Sequence, residues 1–243
     1  MTVRQVTSPE ECLQKAMAAR TASSRARYAR LGLSSRSPLD RTTHAMLLRQ
    51  LYLSLYEARR FDRAHEVAVQ ALELGVLPDV LHQDAARACL SAGDLDGALQ
   101  HLRAAARRGP PSRRAFHHWT LGSILFIAHR YDEAISSLTR AARWATRDRP
   151  LYAAHLALAK IARGATVDDL QDTIDQLSHA PCGQGYGRFV LGHLAYAAGE
   201  WTAAKRYLEA FVKRTSSARP AMGIALEGEM RMARATLAKM SAN

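Results

Sequence analysis

The sequence predicts an all-α protein, a solenoid of about five helix-turn-helix repeats, and three observations predict it. A seven-residue phrase recurs, its copies stand at a fixed period, and the apolar positions around each copy follow helical spacing. The phrase reads Ala58-Arg-Arg-Phe61-Asp-Arg-Ala64, then Ala92-Gly-Asp-Leu95-Asp-Gly-Ala98, Ala128-His-Arg-Tyr131-Asp-Glu-Ala134 and Ala198-Gly-Glu-Trp201-Thr-Ala-Ala204, with a weaker copy at Gly164-Ala-Thr-Val167-Asp-Asp-Leu170. Each is a small residue, a bulky apolar residue three on, and a small or apolar anchor three further. The anchors at 64, 98, 134, 170 and 204 are spaced by 34, 36, 36 and 34 residues. Self-similarity at a period of that size marks a stacked repeat architecture.

The residues around each anchor supply two helices. Four after the anchors stand Ala68, Leu102, Leu138, Ile174 and Leu208, and seven after stand Ala71, Ala105, Ala141, Leu177 and Phe211. Anchor, fourth and seventh positions share one helical face, so a helix B follows each phrase. Upstream, Leu51, Ala85, Leu121, Ala157 and Leu191 stand thirteen before the anchors, and Tyr52, Ala86, Gly122, Leu158 and Gly192 twelve before. With Leu55, Cys89, Leu125, Ile161 and Ala195 nine before, they make a helix A. Small residues where A and B cross let the backbones approach. A single hairpin leaves an apolar face uncovered, so neighbours must stack.

Leu121-Gly122 … Leu125 … Tyr131-Asp-Glu-Ala134 … Leu138 … Ala141 resembles a tetratricopeptide repeat, as does Leu191-Gly192 … Gly199 … Trp201 … Ala204 … Leu208. Pro110, twelve after its anchor, matches that family's closing proline, whereas Pro78 and Pro150 are displaced from it. The resemblance covers residues 44–215 and implies a right-handed α-solenoid. Residues 1–43 then form a basic N-terminal helix and linker, and 216–243 a C-terminal capping helix.

In chain order, Ser8-Pro9-Glu10-Glu11 reads as a capping box with proline at the first helical position. One helix is predicted from there to about Leu31. It carries Arg20, Arg25, Arg27 and Arg30, and reads either as a terminal cap or as a basic arm for an acidic partner or nucleic acid. Ser34–Asp40 is a linker. Gly164 ends helix A of the fourth repeat, and Pro181-Cys-Gly-Gln-Gly-Tyr-Gly187 interrupts the pattern. Its glycines read as a turn rather than a phosphate loop, because no strand precedes them and no Lys-Ser/Thr follows. A final helix, Arg219–Met240, aligns Met222, Leu226, Met230, Ala233 and Leu237 to close the array.

Composition narrows the class. The chain has 243 residues, 48% of them apolar, so most of it should fold. Cys12, Cys89 and Cys182 are an odd, scattered set without CxxC, which argues for a reducing compartment. Met1–Lys15 lacks an apolar signal core, and the longest strongly apolar run, Ile124–Ala128, is far too short for a membrane span. A cytoplasmic protein is expected, and the Ala/Arg bias fits a GC-rich bacterial genome.

Catalytic patterns are missing from the sequence. The ten histidines include His117-His118 but no HExxH, no GxSxG occurs, and no cysteine has a local partner. The expectation is a non-enzymatic protein with no cofactor and no metal ligands.

Binding is therefore the expected activity. In the family that the repeats resemble, helix A lines a concave groove. Carried over residue by residue, the groove positions here include Arg49 and Tyr56, then Arg87, then Phe116, Trp119 and Phe126, then Tyr152 and His155, and finally Phe189, His193 and Tyr196. Exposed aromatics in a concavity are the usual anchors of recognition, and arginines fork onto carboxylates. The expected ligand is a segment of a partner protein with acidic and apolar residues, unless a terminal helix fills the groove. The carboxylate-clamp specialisation is disfavoured, since its positions hold Arg49, Leu53, Asp84 and Phe116.

Charge opens an alternative. Formal net charge is +12, and Arg107, Arg113, Arg114, Arg143 and Arg147 fall on helix B or in connecting loops, on the convex side or edge. Such a surface attracts nucleic acid as well as acidic proteins. The sequence specifies no oligomeric state.

Overall fold

The computed structural model describes residues 8–242, and every regular element in them is a helix. The first seven residues and Asn243, which belong to the predicted terminal segments, lie outside the described residues. The chain divides into two compact units, one reaching to Gly109 and the other starting at Pro110.

The first unit holds α1 (Pro9–Ala18), α2 (Ala22–Leu33), α3 (Arg41–Glu57), α4 (Phe61–Glu73), α5 (Pro78–Ala92) and α6 (Leu95–Arg108). Each helix packs on the next, and α3 also touches α5. The second unit holds α7 (Pro111–Ile127), α8 (Tyr131–Trp144), α9 (Arg149–Ala162), α10 (Leu170–His179), a 3-10 turn (Pro181–Gly183), α11 (Gly187–Ala197), α12 (Trp201–Ser216), α13 (Pro220–Ala225) and α14 (Glu227–Ser241). Here α7 packs on α8, α9 on α10 and α11 on α12, while α9 also touches α7 and α11. Helices packed in consecutive pairs are what a helical repeat requires.

The recurring phrase is the A-to-B turn. Five residues before the anchor the backbone turns left-handed, at Arg59 (φ 56°), Gly93 (φ 90°), His129 (φ 60°) and Gly199 (φ 79°). Helix B then starts on the bulky residue of the phrase, at Phe61, Leu95, Tyr131 or Trp201. The anchors Ala64, Ala98, Ala134 and Ala204 are all fully buried, as are Ala71, Ala105, Ala141 and Leu177 seven after their anchors. The fourth copy differs: Gly164 (φ 96°) stands six before its anchor, and α10 starts at Leu170 itself. One extra residue in that turn leaves Val167 outside the helix and shortens α10 to ten residues.

Small residues do sit where A crosses B. A Cβ on Gly122 would lie 2.6 Å from Leu138 Cγ, and one on Gly192 would lie 2.6 Å from Leu208 Cγ. In the first repeat the sizes are reversed: Tyr52 stands at the Gly122 position and Ala68 at the Leu138 position, both buried.

Two predicted terminal helices are each split. The N-terminal one breaks at Ala19, whose backbone is extended, and restarts where Thr21 Oγ1 accepts from Ser24 N at 3.2 Å. The resulting hairpin packs α2 on α3, and Ser54 Oγ donates to Ala22 O at 2.6 Å. Arg25 is buried there against Glu57, so it belongs to this packing rather than to a free basic arm, whereas Arg20, Arg27 and Arg30 stay exposed. The C-terminal helix breaks at Leu226 (φ −109°, ψ 20°), and α14 then runs over α12, α11 and α7. Pro181–Gly187 is a packed turn: a Cβ on Gly183 would lie 2.1 Å from Leu177 O, and one on Gly187 would lie 2.3 Å from Cys182 O. No helix of the described residues is long and apolar enough to cross a membrane.

Candidate functional site

In the first unit the groove positions surround a buried acid. Asp84 is 1% exposed and accepts from Arg49 Nε at 2.6 Å and from Arg87 Nη1 at 3.1 Å. The two arginines therefore already hold a carboxylate of their own chain, and the triad keeps one net positive charge. Arg87, with its side chain 40% exposed, is the more accessible of the two. Tyr56, expected on the surface, is 2% exposed; its hydroxyl lies 3.0 Å from Ser91 Oγ and its ring stacks on Tyr52.

In the second unit the predicted groove is an aromatic core. Phe126, Tyr152, His155, Phe189 and His193 are all buried, whereas Trp119 and Tyr196 are half-buried and Phe116 is exposed. The expectation that these aromatics stand free in a concavity is corrected for the buried five. The physical reason is α14, together with their mutual packing. Trp119 meets Tyr152 and Tyr186, and Tyr186 meets His155, Phe189 and Phe211. Over them, α14 places Gly228 against Ile127, where a Cβ would come within 2.7 Å of Cγ2. It also buries Glu229, Met230 and Ala233.

This core contains a polar centre. Trp119 Nε1, which can only donate, makes a hydrogen bond to His155 Nδ1 at 3.2 Å. Neutral His155 must then carry its proton on Nε2, a fully buried atom without a hydrogen-bond partner among the described residues. His193 Nε2 is in the same condition. Burial lowers His155 to about 3, helped by His193, and lowers His193 to about 4. Tyr186 Oη donates to Glu229 Oε1 at 3.2 Å. Burial raises the Glu229 carboxyl to about 7 and, with Glu229 beside it, holds the Tyr186 phenol well above its usual range.

The predicted basic residues separate. Arg107, Arg143 and Arg147 are exposed, whereas Arg113 and Arg114 are half-buried. Arg114 lies over the Trp144 ring, 5.2 Å from its centroid, and Trp144 packs edge-on against His118 while staying 40% exposed. Burial lowers His118 to about 4, with Arg140, His117 and Arg114 adding to it.

The linear spacing gave no sign of one further cluster. His65 on α4, Cys89 on α5 and His101 on α6 bring their ligand atoms within 4.8 Å of one another. His65 Nε2 and His101 Nε2 are 3.2 Å apart, and His101 Nδ1 lies 3.0 Å from His82 Nδ1. Burial lowers His82 to about 4 and raises the Cys89 thiol to about 11, with Asp94 beside that thiol. The expectation of no metal ligands weighed local motifs and the pair His155 and His193, not these three residues. His65 stands one residue after its anchor and His101 three after its own, so they are not equivalent positions of the repeat, and packing of adjacent repeats joins them. Glu229 was likewise outside the predicted set, since nothing local marks a helix that folds back over the array, whereas Tyr186 was a predicted groove position of the fifth repeat.

No protein-family model matches the chain, and no curated protein matches it at a significant level.

Proposed function

We propose that this protein is a non-catalytic adaptor of tetratricopeptide-type helix pairs that binds an amphipathic helical segment of a partner protein. The observation that carries this reading is the seating of α14. That helix lays Gly228, Glu229, Met230 and Ala233 on the aromatic face formed by α7, α11 and α12. A face that takes an amphipathic helix with one acid among its buried residues in cis suits the same pattern in trans, by helix-in-groove recognition. The partner then competes with α14, and Glu229 is the weak point of the internal contact because its charge is costly there. Within the first unit, the net positive Arg49–Asp84–Arg87 triad would favour an acidic stretch.

A second reading has its own observation. Trp144 is exposed beside Arg114 on a strongly basic chain, and an aromatic face with a guanidinium is the usual material for stacking a nucleic-acid base.

Affinity capture from cell lysate separates the two. Wild type, Glu229→Lys, and Glu229→Lys with Trp119→Ala are compared, each with and without nuclease and at raised salt. The adaptor reading expects a protein band that is raised by Glu229→Lys, lost with Trp119→Ala, and resistant to nuclease. Nucleic acid held equally by all three, and released by salt, would move the function to the basic face.

A further inference from the structure

We propose that His65, Cys89 and His101 form a transition-metal site, which binds Zn²⁺ and ties α4, α5 and α6 together. Two imidazole nitrogens on one tetrahedral zinc, each about 2.0–2.1 Å from it, stand roughly 3.3 Å apart. His65 Nε2 and His101 Nε2 are already at 3.2 Å. Their ring centroids are 5.4 Å apart, so the rings keep their separation and turn to aim both lone pairs at an ion beside the line between them. Cys89 Sγ belongs to the same group, with all three ligand atoms inside 4.8 Å. A sulfur and two imidazoles make a borderline-soft donor set, which suits zinc over magnesium or calcium.

The surroundings do what an outer shell must do. A metal-bound imidazole fixes its ring by donating its other N–H to a neighbour. His101 has such a neighbour: its Nδ1 lies 3.0 Å from His82 Nδ1. With zinc on His101 Nε2, the proton sits on His101 Nδ1 and is accepted by His82 Nδ1. His82 is buried, and its Nε2 has no hydrogen-bond partner among the described residues. A histidine held this way, with its ring against His101, would orient a ligand. The Asp94 carboxylate stands beside Cys89 but caps Gly97 N, so water is the source of a fourth ligand.

The placement also has a mechanical consequence. His65 and His101 sit on the B helices of two successive pairs, and Cys89 sits on the A helix between them. One ion would therefore clamp two neighbouring pairs, the interface on which a repeat array depends. Thiolate binding releases a proton from Cys89, which goes to solvent or buffer.

The test uses the full chain, stripped with chelator and titrated with Co²⁺ alone. One equivalent should give a thiolate-to-cobalt charge-transfer band in the near ultraviolet and the visible bands of a four-coordinate ion, and Zn²⁺ should abolish both. Zn²⁺ should also raise the Tm. Cys89→Ser should remove the charge-transfer band, and His65→Gln, at a half-buried position, should weaken binding at least tenfold while keeping helicity. His82→Phe should weaken it by about 10- to 100-fold, the range for loss of such an orienting partner. His129→Gln, away from the site, should bind as wild type. No cobalt spectrum in the folded wild type, or a spectrum unchanged by His65→Gln, overturns the proposal.

Discussion

Gly122 and Leu138 meet where α7 crosses α8, so closely that a Cβ on the glycine would lie 2.6 Å from Leu138 Cγ. Gly192 and Leu208 repeat the relationship on α11 and α12 at the same distance. Each glycine is thus required by its partner helix and not by its own backbone, which is helical.

Substituting Gly192→Ala should therefore overpack the crossing and cost about 1–3 kcal/mol. Gly223→Ala is the control, because its Cβ would meet only Thr215 O at 3.9 Å. It should be neutral or stabilising by up to about 1 kcal/mol. Denaturant unfolding measures both, and equal losses would remove the crossing argument.

The A-to-B turns make an opposite prediction. Arg59 holds φ at 56°, where a side chain is strained, and Gly199 holds the equivalent place at 79°. Arg59→Gly should gain up to about 1 kcal/mol, and Gly199→Ala should lose about 1–2 kcal/mol. Thermal unfolding should show the two Tm shifts with opposite signs.

Removing either arginine from Asp84 should destabilise the first unit, but unequally. Arg49 makes the shorter contact and is 28% exposed, against 40% for Arg87. Because both guanidinium groups reach solvent, the ion pairs are partly screened. Arg49→Met should cost about 1–3 kcal/mol, less than the loss of a fully buried pair, and Arg87→Met should cost less than that. Urea unfolding of the two variants checks the order.

Glu229 gives a pH signature. Its carboxyl is raised from 4.5 to about 7 in the folded chain, so its contribution is full below about 4.5 and is lost as pH rises through 7. His155 and His193 run the other way: lowered from 6.5 to about 3 and about 4, they contribute above 6.5 and lose it as pH falls. Glu229→Gln keeps the histidine limb and removes the acid limb. Its Tm relative to wild type should rise steadily between pH 4.5 and 7 and level off above. A difference that does not change with pH would show that Glu229 does not titrate in that window.

Most of the pairing pattern was legible in the sequence. A helix in a repeat must bury the same face at every turn of the array, so the anchors and the positions four and seven after them announce themselves by period. The place of each turn was legible too, but not its left-handed geometry, which Arg59 and His129 adopt as well as Gly93 and Gly199. The breaks at Ala19 and Leu226 were less visible. Thr21 is a common enough N-cap, but nothing upstream forces the stop, and the second break depends on where α14 docks.

What the sequence determined by itself is therefore the set of local and periodic features: helical content, the A and B helices, their turns, and the small residues at their crossings. These follow from spacing and backbone preference within one repeat. Tertiary structure alone decided that the aromatics of the second unit are covered, that Asp84 consumes two arginines, and that His65, Cys89 and His101 converge. Those outcomes depend on which side chains of different repeats come within a few ångströms. Burial and electrostatic pairing at that range are set by packing between repeats, which leaves no mark in the spacing within one.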